Sequence, residues 1–240
     1  MEAEYVEAYR DLFERHWWWR ARERLLLDEL HRLQPVGGWG SILDVGCGDG
    51  LFFDKLLELG DVEGVEVDGN LVDPEGLYRG RIHVGPFDET FVPGRQFGLI
   101  LMLDVLEHLR DPATALRHAA NLLEPRGKIL ITVPAFNLLW TNHDDLNHHF
   151  VRFTRRSFHR VAEEAGLQIE ICRYFFYWTF PAKLAIRVTE KFFRLEPRPA
   201  QVPREIVNSP LLLFSRAEER ILGKLPMPFG SSLLVVIQKP

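Results

Sequence analysis

The chain has 240 residues, enough for one elaborated α/β domain or two small ones. A net charge of −5 excludes the basic surface of a bulk nucleic-acid binder, so no nucleic-acid partner is expected. Cys47 and Cys172 lie far apart, no apolar run is long enough to span a bilayer, and the acidic start Met-Glu-Ala-Glu-Tyr has no secretory core; a cytoplasmic protein with reduced thiols is expected.

In residues 2–15, Tyr5, Val6, Tyr9, Leu12 and Phe13 recur at helical spacing. A second helical stretch, rich in Arg and Leu, covers 20–33 and ends at Pro35-Val36-Gly37-Gly38. Residues 42–50 (ILDVGCGDG) predict a strand over 41–46, a tight glycine loop and a helix over 50–59. Such a loop places a nucleotide-like ligand at a crevice. Its G-x-G-x-G spacing lacks the third glycine of the dinucleotide fingerprint, which weakens a nicotinamide oxidoreductase reading. A strand over 62–67 carries Glu66 near its end, where a carboxylate accepts ribose hydroxyls.

Gly69, Asn70, Pro74, Gly76 and Gly80 predict a loop or single turn over 68–81. Strands follow at 81–85 and 97–103, a helix at 112–123 and a strand at 127–133. Thr154 caps a helix running to Ala165, stopped by Gly166. A strand is expected at 167–177, a helix at 181–194, a loop at 195–210 with its four prolines, and a last strand at 232–238. Strands alternating with helices imply a parallel sheet wound on both faces.

ILDVGCGDG, GVEVD, FGLILMLDVLEHLRDP and LLEPRGKILITVPA, in this order and spacing, resemble class I S-adenosylmethionine (SAM)-dependent methyltransferases. His16–Arg22 (HWWWRAR) and His143–Phe153 are similar to a bacterial subgroup that acts on small molecules and glycans. The resemblance covers roughly residues 15–180, with a weaker echo over 225–240. It implies a Rossmann-like doubly wound seven-stranded sheet, mostly parallel with an antiparallel last strand, under an N-terminal helical lid. The implied division is a lid over 1–36, a SAM-binding core over 37–180, and a C-terminal helical elaboration with the last strand over 181–240.

The resemblance also assigns the cofactor site. Gly46, Cys47, Gly48 and Gly50 approach SAM through their main chain, and Asp44 lies near its ammonium. Glu66, followed by Val67, holds the ribose. Pro86 stands where the family often has an adenine-binding Asp, so Phe87 and Asp88 take that place. Leu103, Asp104 and Val105 line the methionyl side. Arg22 is the first choice for the SAM carboxylate and Arg24 the second. Gly98 replaces a family Asp before strand four.

Methyl transfer to a hydroxyl needs a base. His143 and His149 supply candidates, and Glu107 with His108 faces the cleft in the resemblance. A hydrogen-bonded structural loop and a metal cluster are the alternatives; the spacing matches no zinc pattern, so no metal is expected. Arg152, Arg155 and Arg156 meet either an anionic acceptor or solvent. Trp17–Trp19 and Tyr174–Phe180 fill the core or wall the acceptor. Phe175–Phe193, with Lys183, Arg187 and Lys191, suits an interfacial helix and peripheral membrane contact. The function expected is methyl transfer from SAM to oxygen of a small molecule, sugar or lipid-linked glycan. The alternative is a SAM-binding protein of the same fold that has lost transfer.

Overall fold

The structure, a computed structural model, describes residues 10–193 and 200–239. The strands are β1 Ser41–Val45, β2 Asp61–Glu66, β3 Ile82–Val84, β4 Phe97–Leu103, β5 Leu123–Pro134, β6 Ile169–Phe175 and β7 Ser232–Gln238. They form one sheet in the order β3-β2-β1-β4-β5-β7-β6. β7 runs antiparallel between β5 and β6, while β1 to β5 pair in parallel. Central strands of such a sheet are covered on both sides, and the runs 99–102 and 129–131 are accordingly apolar and fully buried. Because β7 lies inside the sheet, the core draws on both sides of residue 180.

The helices are α1 Trp17–Leu33, α2 Phe53–Leu56, α3 Pro112–Leu122, α4 Asn142–Leu146, α5 Arg155–Glu164, α6 Thr179–Phe193 and α7 Glu205–Leu222. α3 starts on an Asp111 cap with Pro112 at its first position, and α5 on a Thr154–Ser157 capping box. Leu116 and Phe158 bring α3 and α5 onto one sheet face, against Phe97 and Ile131. Leu26, Leu30, Phe53 and Leu212 bring α1, α2 and α7 onto the other, against Ile42 and Leu101. The far end of α1 is thus a core layer. Its first turns carry Arg22 towards the carboxyl ends of the strands.

Three expectations shift. The helix over 50–59 is a single α-turn within a coil of mixed spacing; Lys55 N–H reaches back three residues and Leu57 N–H four. β5 begins at Leu123 because Leu123 pairs with Phe97 at the far end of β4. The proline-rich loop gives way to α7 from Glu205, with Pro210 inside it. Pro210 is exposed, so water can satisfy the carbonyl that its missing N–H leaves free. Residues 68–81 hold two short 3-10 turns, as the glycines imply. Residues 10–15 are helical; residues 2–9 of that expected helix, and 194–199 of the next helix end and loop, lie outside the described residues.

The connections reverse direction between β1 and β4. That switch point opens a crevice at the carboxyl ends of the strands.

Candidate active site

The loop after β1 occupies the crevice. Gly46, Gly48 and Gly50 all take left-handed backbone, with φ of 73°, 55° and 71°. Gly46 N–H donates to Val65 O at 2.8 Å, which ties the loop to β2. A Cβ on Gly46 would stand 2.8 Å from Val105 Cγ2, so loop and β4 end touch only because glycine is there. The Cys47 side chain sits beneath Gly64, and burial pushes its thiol far above the usual range. It is a packing group, and the loop's offering to a ligand is backbone.

Glu66 is buried at the end of β2. Its Oε2 accepts the Gly48 N–H at 2.9 Å and its Oε1 the Asp68 N–H at 3.0 Å. Both oxygens therefore face the loop mouth, where two vicinal hydroxyls could replace two backbone donors. Val67 beside it is 72% exposed and offers only its main chain.

Asp44 is buried at the base of the loop. Burial lifts its carboxyl to about 7, with Arg22 opposing and Glu66 adding to the rise. A raised carboxyl penalises ionisation in the folded state. Its contribution to stability is complete below about pH 4, the unfolded value, and is lost as pH climbs through about 7. Asp44→Asn is expected to raise the melting temperature of ligand-free protein at pH 8 and to leave it little changed at pH 4. Thermal unfolding at the two pH values checks this; an equal effect at both would contradict it.

Arg22 reaches the crevice from α1. Its Nη2 pairs with Asp104 Oδ2 at 2.8 Å and donates to Thr132 Oγ1 at 2.9 Å, with the guanidinium 5.5 Å over the Trp18 ring. Its Nε is buried without a hydrogen-bond partner. Arg24 instead pairs with Asp28 on the exposed side of α1. Asp104 follows Leu103 at the end of β4 with φ 59°, a left-handed conformation that is strained for a non-glycine residue. Its N–H donates to Thr132 O at 2.9 Å, and its Oδ1 accepts the Thr132 hydroxyl at 3.1 Å.

A polar cluster adjoins Asp104. Glu107 is buried, and among the described residues neither carboxylate oxygen has a hydrogen-bond partner. Burial and the Asp104 charge push it well above the usual carboxylate range. The His108 and His149 rings meet edge to face at 4.7 Å. Burial, then His149, lowers His108. Phe150 N–H donates to Glu107 O at 2.8 Å, which draws the segment after β5 onto this turn.

Asp144, fully buried, organises that segment. Arg152 grips it with two bonds of 2.8 Å, Thr141 N–H donates at 2.8 Å, and His149 Nδ1 donates at 2.9 Å. Burial alone would raise Asp144; the bonds from His149 and Arg152 outweigh it and hold Asp144 far below the usual range. A carboxylate can only accept, so Nδ1 carries a proton; in the neutral ring Nε2 is then the acceptor. Lys183 comes in from α6. Burial and the Arg152 charge lower it to about 8, with Asp144 and Asp104 opposing. His143 lies at the rim beside the Asn147 amide; burial, then Lys183, lowers it to about 4.

The expected site residues therefore divide. Asp44, the glycine loop, Glu66, Asp104, Val105 and Arg22 converge on the crevice, and His108 and His149 meet beside it. Asp88 is exposed, and its Oδ1 accepts the Thr90 N–H and hydroxyl at 2.9 and 2.6 Å. Phe87 turns its ring onto His118 and Phe91, centroids 4.8 and 5.9 Å away. Arg152 is neither anion receptor nor surface, being buried in the Asp144 pair. Arg155 lies over Tyr174 and donates to Met227 O. Trp17 and Trp18 pack on Phe176 and Trp178. Sequence reasoning missed Asp144, Thr132 and the inward course of Lys183. Glu107, His108 and His149 also bring donor atoms within 4.8 Å of one another, a spacing that suits one divalent cation.

A family model described as a methyltransferase domain matches residues 18–170. The chain belongs to this family. Residues 18–170 carry a class I SAM-dependent methyltransferase domain. A ubiquinone biosynthesis O-methyltransferase of Azorhizobium caulinodans is 33% identical over 51% of this chain and 47% of its own length. One from Xanthomonas axonopodis pv. citri is 27% identical over 70% and 79%. The match thus spans about half the length of the first of these relatives. Among solved structures, a Haemonchus contortus phosphoethanolamine N-methyltransferase in complex with SAM aligns over 88% of this chain and 51% of its own. Its TM-score is 0.56 at 17% identity, a likeness in fold. Among the described residues of the methyltransferase, no helix is long and apolar enough to cross a membrane.

Proposed function

We propose that the methyltransferase moves the methyl group of SAM to a hydroxyl oxygen of a small aromatic acceptor, with His149 as general base. The acceptor oxygen attacks the methyl carbon, the S–CH3 bond breaks, S-adenosylhomocysteine leaves, and the hydroxyl proton passes to His149 Nε2. The observation that supports this is the Asp144–His149 bond at 2.9 Å, which leaves Nε2 as the acceptor of the neutral ring, on a ring that meets His108 at 4.7 Å. The names of the curated relatives, ubiquinone O-methyltransferases, favour a small hydroxylated ring over a glycan.

In this reading Glu66 exchanges its two backbone donors for the ribose hydroxyls, Asp44 meets the SAM ammonium, and Arg22 meets its carboxylate. Glu66→Ala is expected to weaken SAM binding by about 1–3 kcal/mol. Titration calorimetry reads this, and unchanged affinity would remove Glu66 from the site. A labelled-methyl assay over phenolic and glycan acceptors tests the reaction. Label on a phenolic oxygen supports it. Label on nitrogen or sugar contradicts the acceptor class, and tight SAM binding with no transfer to any acceptor would favour a binding protein.

One observation supports a second reading. Glu107 is an unpartnered buried carboxyl between two histidines, a donor set for a divalent cation that would itself acidify the acceptor hydroxyl. Under general-base catalysis, chelator dialysis leaves turnover unchanged. Loss of turnover restored by added magnesium or zinc would assign the trio to a cation.

A further inference from the structure

Helix α6 is turned inside out. Three of its four charged side chains turn towards the protein, Lys191 being the exception: Arg187 donates to Asn137 O at 2.9 Å, and the Glu190 carboxylate accepts the Asn142 N–H at 3.0 Å. Lys183 lies between the charges of Asp144 and Asp104. Positions 183, 187 and 190 share one helical face. The rest of the helix turns Ile186, Val188, Phe192 and Phe193 to solvent, with Phe192 79% exposed. α7 shows a second uncovered apolar face. Asn208, Leu212, Ser215 and Glu218 point inward, while Ile206, Pro210, Leu213, Ala217 and Ile221 follow one another at three- and four-residue steps on the outside. Ile206 is 83% exposed and Leu213 70%. Trp178, just before α6, contacts Phe214 of α7 at 5.7 Å, which ties the start of one helix to the other. An ordinary surface helix shows water its polar face; two exposed apolar helix faces mark a docking site.

The charges around it indicate what docks. Lys191, Arg204, Arg220 and Lys224 are exposed at its margin, with Glu205 as the exposed acid among them. The margin is basic on a chain of net charge −5. A second copy would bring like charge against like charge, whereas an anionic bilayer complements them.

We propose that the outer faces of α6 and α7 dock on an anionic lipid surface, apolar side chains entering the headgroup boundary and the basic margin meeting lipid phosphates. This inference goes beyond the proposed acceptor and does not need it. The test is flotation of the full chain with vesicles of phosphatidylcholine, alone or mixed with phosphatidylglycerol. The wild-type chain is expected to float with the anionic vesicles, and less so at high salt. The triple variant Phe192→Ser, Ile206→Ser, Leu213→Ser is expected to lose at least about tenfold in partitioning. Its melting temperature and SAM affinity, measured in parallel, are expected to stay at wild-type values because all three side chains are exposed. Failure of the wild type to float, equal flotation of the variant, or a wild-type dimer that the variant dissolves would each overturn the proposal.

Discussion

Asp144→Ala is expected to lower folding stability by about 3–5 kcal/mol, the usual loss when one member of a buried ion pair is removed. Arg152 would keep its charge in a site where it is 2% exposed, with only the Ala135 carbonyl at 3.3 Å and no carboxylate. The Thr141 N–H at the start of α4 would lose its acceptor as well. Denaturant unfolding reads the change as a shift in midpoint; a shift under about 1 kcal/mol would show that the pair is not structural. The same bond has a pH consequence. A depressed carboxyl contributes its full stability above the unfolded value of about 4 and loses it progressively as pH falls from there through the much lower folded value. The stability gap between the wild type and the variant is expected to narrow steadily over that acid range.

His149→Ala is expected to lower turnover by about 10²–10⁴-fold, the range for loss of a positioned general base. SAM affinity is expected to hold, because His149 bonds Asp144 and none of the glycine loop, Glu66 or Arg22. His143→Ala serves as comparison. Among the described residues, His143 bonds Asn147 at the rim, and a small effect there separates the two histidines. Equal losses from both variants, or a rate unaffected by His149→Ala, would return His149 to a structural role.

The parallel strands were legible because a covered strand is a short apolar run between turn residues, and 97–103 and 127–133 fit that description closely. α7 was hidden by Pro210, which reads as a helix breaker until one sees that its ring faces water. The loop after β1 was legible because its left-handed backbone demands glycine at 46, 48 and 50, and a strand-end acid at 66 is conspicuous. The cluster around Asp144 was less so. Asp144 meets Arg152 and His149 across irregular chain, where no period announces a contact. The inward course of Lys183 was hidden because a basic, apolar helix suggests charges outward, and α6 turns Lys183, Arg187 and Glu190 inward while Lys191 stays exposed. Asp88 was assigned by family position, and its turn with Thr90 follows from local sequence, an Asp two residues before a Thr.

A crystal structure with S-adenosylhomocysteine tests the central claim most directly, that one crevice holds the nucleoside on Glu66 and points the methyl position at His149. The expected result has both ribose hydroxyls on the Glu66 oxygens, the Gly48 N–H released, and the sulfur facing the Glu107–His108–His149 cluster. A sulfur turned away from that cluster, or a Glu66 still bonded to Gly48 with the nucleoside bound elsewhere, would contradict it.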